Sequence, residues 1–403
     1  MTTIARVPET ILAVDDTPTN ISLLAGLLGE DYKVKAATNG AKALELAAAN
    51  PPDLILLDIM MPGLSGYDVL ERLRADPRLR HIPVIMISAV DEIESVIRCI
   101  ELGAEDYLPK PFNPTLLRTR VGASLEKKRL RDDIVRHLDQ IENELKAARE
   151  IQLSMVPLDF EAPTAAKPVE IFATLEPARE IGGDLYDFFW GEDGRLYFVV
   201  ADVSGKGAPA ALFMARIKTM TRLVAMLYRE PTGAWAEPGR ICEKINEDVC
   251  KDNRQDMFVT VFFGILDPRT RTLTYCNAGH NTPYIIGRNR TVRLAGAHGV
   301  PMGILDGYEY ETERCELASG DCIFAYTDGV TEAMDAASSF FSDKRLESVL
   351  AGVAGAPARA VVSEVMASVR DFSAGEPQAD DIAAMAIRLT DGAPGTEPFL
   401  ARS

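Results

Sequence analysis

Two sets of acidic residues stand where strands should end. In the N-terminal part, Asp15 and Asp16 follow the apolar run Ile11–Val14 and Asp58 closes Leu54–Leu57. Ser88 follows Val84–Ile87, and Lys110 follows Asp106–Leu108. Three clustered carboxylates repel one another unless a divalent cation or an ammonium offsets them. A cation, a carboxylate nucleophile, a hydroxyl and a lysine are together what phosphoryl transfer to Asp58 requires. Any one of these residues alone reads as an ordinary turn residue; all of them at matching strand ends do not. The second set lies further on, in EIGGD (Glu180–Asp184), ADVSGKG (Ala201–Gly207), YTDGVTE (Tyr326–Glu332) and ADDIA (Ala379–Ala383). Aspartates from such distant segments can hold two divalent cations, which activate a bridging water and neutralise a phosphoryl group. A lone Asp-Gly is more often a hairpin turn, but four acidic motifs in this order are not explained that way.

The elements that must position these residues follow from hydrophobic periodicity. Strand patterns at Ile11–Val14, Lys33–Ala37, Leu54–Leu57, Val84–Ile87 and Asp106–Leu108 alternate with helical ones at Asn20–Leu28, Ala41–Ala49, Tyr67–Arg74, Ile93–Leu102 and Pro114–Leu125. This reads as an α/β doubly wound parallel sheet, whose ligands gather at the carboxyl ends of its strands. From Leu125 to Gln152 there is no Gly or Pro, and Ile134, Leu138, Ile141, Leu145 and Ala148 recur at steps of four and three. That is a coiled-coil seam. A solitary solvated connector helix is the alternative; an exposed heptad stripe favours pairing into a homodimer. Pro157, Pro163 and Pro168 close the helix. Beyond them strands cluster between long helices instead of alternating with them, which predicts an α+β sandwich of sheets flanked by helices, αββα. The expected division is 1–125, a helical linker at 126–157, a second domain at 158–390 and a Gly/Pro-rich flexible tail at 391–403.

Composition narrows the function. The 403 residues carry 43 Lys and Arg against 60 Asp and Glu, a formal charge of −17. Such a surface repels phosphate backbones and anionic lipid, which argues against nucleic acid or membrane as the main partner. The six cysteines form no C-x-x-C pair or zinc spacing, and no apolar run reaches the roughly 18 residues of a membrane span. A reduced, cytoplasmic chain is expected.

Residues 10–125 resemble a response-regulator receiver domain, with ILAVDD, LILLDIMMPGLSG, VIMISA and DYLPKPF matching its sequence blocks in order. The resemblance implies that Asp58 accepts phosphate from a sensor histidine kinase, a phosphotransfer protein or a small phosphodonor. It implies Mg²⁺ held by Asp16, Asp58 and the Met60 carbonyl, with Asp15 acting partly through water. Ser88 and Lys110 would contact the phosphoryl group, Tyr107 would be the rotating aromatic of the switch, and the Lys110–Pro111 bond would be cis.

The second region resembles the SpoIIE-type branch of the PPM metal-dependent serine/threonine phosphatases. Besides the acidic motifs, IQLSMVP (Ile151–Pro157) looks like the short helix leading into that domain, and NAGHNTP (Asn277–Pro283) and GVPMGI (Gly299–Ile304) fit its interior signatures. By that resemblance Asp184 and Asp202 bridge two Mn²⁺ or Mg²⁺ ions with help from the Val203 carbonyl. Asp328 and Asp380 complete the first metal site, with Asp381 as a neighbour, while Gly182, Gly183, Gly205 and Gly329 shape the loops. Relatives outside the branch carry a histidine where this chain has Ser204, so proton delivery would fall to water, and His280 is read as structural. The resemblance implies a substrate of the kind usual in that branch, a phosphorylated STAS-domain anti-sigma-factor antagonist in a partner-switching pathway. Rival readings are weaker. Leu185-Tyr186 after Gly-Gly-Asp is not the diguanylate cyclase signature, His137 lacks the flanks of a kinase phosphoacceptor, and Gly205-Lys206-Gly207 is not a phosphate-binding P-loop. A non-catalytic adaptor that binds a partner through a phosphatase-like domain is the remaining alternative, and retention of all four aspartates speaks for the enzyme.

Overall fold

The computed structural model describes residues 8–89, 93–161, 164, 167–251, 253–288, 290–294 and 299–391, so the expected tail beyond Asp391 lies outside the described residues. The chain divides into two compact units, Met1–Glu142 and Asn143–Ser403.

In the first unit the elements are β1 (Thr10–Val14), α1 (Pro18–Leu28), β2 (Lys33–Ala37), α2 (Gly40–Ala49), β3 (Leu54–Asp58), α3 (Gly66–Ala75), β4 (Val84–Ser88), α4 (Ile93–Glu101) and β5 (Asp106–Pro109). The sheet runs β2-β1-β3-β4-β5 with every pair parallel. Strands β3 and β4 are buried along their whole length and apolar up to their last residues, Asp58 and Ser88, as a sheet covered on both faces demands. Helix α3 starts at a reciprocal cap between Ser65 and Asp68, then buries Val69, Leu70 and Leu73. The doubly wound sheet expected from the sequence is present.

Helix α5 (Pro114–Met155) is a single element of 42 residues, about 63 Å long at 1.5 Å per residue. It begins in the first unit and ends in the second. Leu117, Val121 and Leu125 bury its first turns under β1, β3 and β4. Beyond them Leu130, Ile134, Val135, Leu138 and Ile141 are exposed. The sequence suggested that the pattern following Pro114 continues into the Leu125–Gln152 seam as one element, as it does, with IQLSMVP read as a short entry helix beyond. With no Gly or Pro between Gly122 and Pro157, nothing interrupts the backbone hydrogen bonding, and the three run together.

The second unit is a sandwich of two antiparallel sheets. One runs β13 (Glu313–Glu316), β10 (Thr272–Ala278), β9 (Val259–Asp267), β8 (Leu196–Val203), β7 (Leu185–Trp190). The other runs β12 (Arg290–Arg293), β11 (Tyr284–Gly287), β14 (Cys322–Tyr326), β15 (Ile382–Leu389), β6 (Val169–Glu176). Helices α6 (Ala208–Leu227) and α7 (Pro238–Lys251) share a core with both sheets. Helices α8 (Ser342–Gly352) and α9 (Ala358–Ser373) cover the outer face of the second sheet. Strand β15 shows how one segment serves both layers: Ala383, Met385 and Ile387 enter the central core, whereas Ile382, Ala384 and Ala386 meet α8 and α9. The αββα layering matches the expectation from the sequence.

Candidate active sites

Strands β1 and β3 pair Val14 with Leu57, so Asp15 and Asp58 leave adjacent strands side by side. Asp15 is fully buried, Asp58 nearly so, and Asp16 beside them is exposed. Oxygens of these three carboxylates lie within 4.8 Å of one another. Lys110, which follows β5 and precedes a cis bond to Pro111, reaches across with Nζ 2.7 Å from Asp15 Oδ2 and 2.8 Å from Asp58 Oδ2. Burial pulls the Lys110 ammonium down, but its bonds to both aspartates outweigh that and leave its pKa raised. Burial pushes the Asp58 carboxyl above its ordinary value, with Lys110 opposing. The Met60 N–H donates to Asp58 Oδ1 at 3.4 Å, and the Met60 side chain is exposed. Ser88 is buried at the end of β4, and Tyr107 is half-buried on β5. One participant escaped the sequence reading. Asn20, in the first turn of α1, donates to both oxygens of Asp15 at 3.0 and 3.1 Å; its place five residues after Asp15 was the available signal.

In the second unit, β7 and β8 pair Leu185 with Ala201, which sets Asp184 next to Asp202 at the same end of the sheet. Asp328 sits in a 3₁₀ turn just after β14, and Asp380 lies two residues before β15, the neighbouring strand. Four distant segments thus deliver Asp184, Asp202, Asp328 and Asp380 to one place. Burial, then repulsion from Asp202, raises the Asp184 carboxyl well above the usual range. Burial with repulsion from Asp328 and Asp380 pushes Asp202 up to about 7, and burial with repulsion from Glu332 and Asp380 pushes Asp328 up to about 6. Thr327 Oγ1 donates to Asp184 Oδ2 at 2.6 Å, fixing the most buried of the set.

The supporting loops are held by backbone contacts that the motifs alone did not reveal. Asp381 is buried, and its two oxygens accept the Ala178 N–H at 2.8 Å and the Gly183 N–H at 2.7 Å. Gly329 passes so close that an added Cβ would lie 1.9 Å from the Asp381 carbonyl oxygen. The Val203 carbonyl faces Gly183, 2.8 Å from where its Cβ would be. Gln152, at the end of α5, clamps the same loop: its Nε2 donates to the Gly182 carbonyl at 2.6 Å and its Oε1 accepts the Gly182 N–H at 3.1 Å. Lys206 Nζ lies 3.0 Å from Asp380 Oδ2 and 2.8 Å from the Ala379 carbonyl. His280 is buried with Nδ1 2.8 Å from Thr260 Oγ1, and burial pushes its pKa down to about 3, so it stays neutral. Ser204 accepts the Phe258 N–H.

Comparison with known proteins agrees with this geometry. Residues 11–122 match the family model of the response regulator receiver domain, and residues 192–390 that of stage II sporulation protein E (SpoIIE). The DNA-binding response regulator MtrA of Mycolicibacterium smegmatis is 34% identical over 171 residues, covering 41% of this chain and 74% of MtrA. The chain is a response regulator with a SpoIIE-family output domain. The regulator is also 43% identical over 136 residues to a probable cyclic di-GMP phosphodiesterase of Vibrio cholerae, covering 34% of the regulator and only 31% of that protein. The SiaA-PP2C domain of Pseudomonas aeruginosa shares its fold, at a TM-score of 0.55 and 20% identity over 62% of the regulator and 98% of that domain. The output domain thus matches the SpoIIE family model and has the fold of a PP2C domain. The donor chemistry suits divalent ions at both places, since both are carboxylate sets: Asp15, Asp16 and Asp58 bring oxygens within 4.8 Å of one another, and burial together with carboxylate repulsion raises the pKa values of Asp184, Asp202 and Asp328. No helix among the described residues is long and apolar enough to cross a membrane.

Proposed function

We propose that the regulator removes phosphate from phosphoserine or phosphothreonine on a protein, under the control of Asp58 phosphorylation by a sensor histidine kinase or phosphotransfer protein. The observation that carries this reading is the convergence of Asp184, Asp202, Asp328 and Asp380 from four separate segments into one self-repelling cluster. Asp184 and Asp202 would bridge two Mn²⁺ or Mg²⁺ ions with the Val203 carbonyl, and Asp328 and Asp380 would complete the set. Once bound, the ions supply an activated water and neutralise the phosphoryl charge. Thr327 holds Asp184 in orientation. Asp381 stands at the edge of the set, and with both oxygens on backbone amides its part is to hold the Gly182–Gly183 loop in place. Neutral His280 shuttles no proton, which leaves water to protonate the leaving hydroxyl. The substrate we infer is a phosphorylated STAS-domain anti-sigma-factor antagonist, the partner suggested by the output family.

In the receiver, Asp58 would take the phosphoryl group; Asp16, Asp58 and the Met60 carbonyl would hold Mg²⁺, with Asp15 assisting, and the ion would neutralise the phosphoryl charge. Ser88 and Lys110 would engage the phosphoryl oxygens, and Tyr107 would turn inward as the rotating aromatic of the switch. The exposed seam of α5 pairs two copies as a homodimer. The partition in use is a receiver at 1–125, a linker at 126–157 and the phosphatase at 158–390. The test is phosphate release from candidate phosphoproteins by the full chain with Mn²⁺ or Mg²⁺, with and without acetyl phosphate. Release that stops on chelation and in Asp202→Asn is expected. Release that survives both would overturn the reading, and partner binding without release would turn it into an adaptor.

A further inference from the structure

The four-acid cluster has a cation of its own. Lys206 comes from the loop between β8 and α6, and its ammonium bonds Asp380 Oδ2 at 3.0 Å and the Ala379 carbonyl at 2.8 Å. Its charge also reaches Asp328, whose carboxyl it draws down against the repulsion of Glu332 and Asp380. Asp380 is the acid a divalent cation would claim, so an ammonium on its oxygen and an incoming ion compete for one site. The loop leaves the side chain room. Gly205 and Gly207 flank Lys206 at φ of +90° and +78°, backbone that other residues rarely adopt, and a Cβ added at either would meet nothing within 4 Å. The Lys206 side chain is 39% exposed, so nothing cages it on Asp380.

We propose that Lys206 is a movable counter-ion, held by Asp380 until divalent cations displace it, and then the ammonium that contacts the phosphoryl oxygens of the substrate. This rests on the phosphatase reading for its second half only. When metal takes Asp380, the ammonium loses its carboxylate partner while remaining beside the cluster. The next anion to arrive there is a phosphomonoester, and lysine is a point-charge partner well suited to phosphate. No bond is made or broken by Lys206; it binds and neutralises.

The experiment uses the full chain with Lys206→Met, which keeps length and loses charge, and Lys206→Arg, which keeps charge. Calorimetry with Mn²⁺ reads the first half, and inorganic phosphate titrated into the Mn²⁺-loaded protein reads the second. Lys206→Met is expected to bind Mn²⁺ about two- to fivefold more tightly, the scale of a half-exposed ion pair. It should bind phosphate about ten- to a hundredfold more weakly, the scale of a charged hydrogen bond. Lys206→Arg should stay near wild type in both. Mn²⁺ affinity unchanged or weakened in Lys206→Met, with its circular dichroism intact, overturns the counter-ion role. Unchanged phosphate affinity overturns the substrate role. Wild-type protein that binds both probes in this pattern yet releases no phosphate from any phosphoprotein refutes the proposed activity and leaves the Lys206 assignment standing.

Discussion

With their carboxyls at about 7 and about 6, Asp202 and Asp328 retain protons near neutrality that free aspartates would have lost. Metal ligation needs the ionised form, so cation entry must expel those protons. Calorimetric titration with Mn²⁺ at pH 6.5 should therefore give heats that scale with the ionisation enthalpy of the buffer, and affinity should fall as pH drops below about 7. Stability carries the opposite sign. A folded pKa above the unfolded value means that the fold favours the protonated acid. The metal-free output domain should be most stable in mild acid and lose stability as pH rises towards about 7, where Asp202 is ionised. Thermal melts from pH 5 to 8 check this, and Mn²⁺ should flatten the curve. In the receiver, Asp58→Ala should abolish labelling by a phosphodonor, since the proposed role of Asp15 and Asp16 is to hold Mg²⁺ and not to accept phosphate. Label that persists would refute the receiver assignment.

The four aspartates could be found from the letters because each sits in a short motif at a strand end, and the central strands because β8, β9, β14 and β15 are long apolar runs. Strands β12 (RTVR) and β13 (ERCE) were missed for a physical reason: they are short edge strands with mostly polar residues, so neither length nor alternation marks them. Strands β6, β7 and β11 were not among the expected strands either, and β7 (LYDFFW), directly after the EIGGD motif, is made plain by its pairing with β8. The clamps on the site were equally hidden. Asp381 holds Gly183 and Lys206 holds Asp380 across nearly two hundred residues of chain, and no local pattern encodes such a contact. One clamp yields an expectation for an element. Gly329→Ala would press a methyl group against the Asp381 carbonyl, so the turn carrying Asp328 must shift away from β15. Overpacking of this kind costs about 1–3 kcal/mol, and Mn²⁺ binding should weaken along with thermal stability, because the displaced element carries Asp328, a proposed ligand. A variant that melts early yet binds Mn²⁺ normally would separate the turn from the site.

Helix α5 gives the whole molecule a way to relate its two chemistries. Its apolar seam lies exposed at Leu138 and Ile141, and its far end holds the Asp184 loop through Gln152. We expect Asp58 phosphorylation to tighten a homodimer and raise phosphatase activity, within the 5–150-fold range of an allosteric coupling of about 1–3 kcal/mol. Leu138→Asp and Leu145→Asp should remove the response without altering either acidic site, and Gln152→Ala should remove it while leaving dimerisation intact. Sedimentation and phosphate release with and without a phosphoryl mimic separate these outcomes; equal rates in wild type would refute the coupling. Because α5 is unbroken, every residue along it has a set azimuth about the helix axis. Each residue of an α-helix advances the azimuth by about 100°, so one residue inserted between Glu142 and Asn143 turns the rest of the helix, Gln152 included, by over a quarter of a revolution. Seven inserted residues return the bearing to within about 20° while lengthening the rod by about 10 Å. If the message is carried as torsion, the single insertion silences the regulator and the sevenfold one restores it; if it is carried as distance, the order reverses.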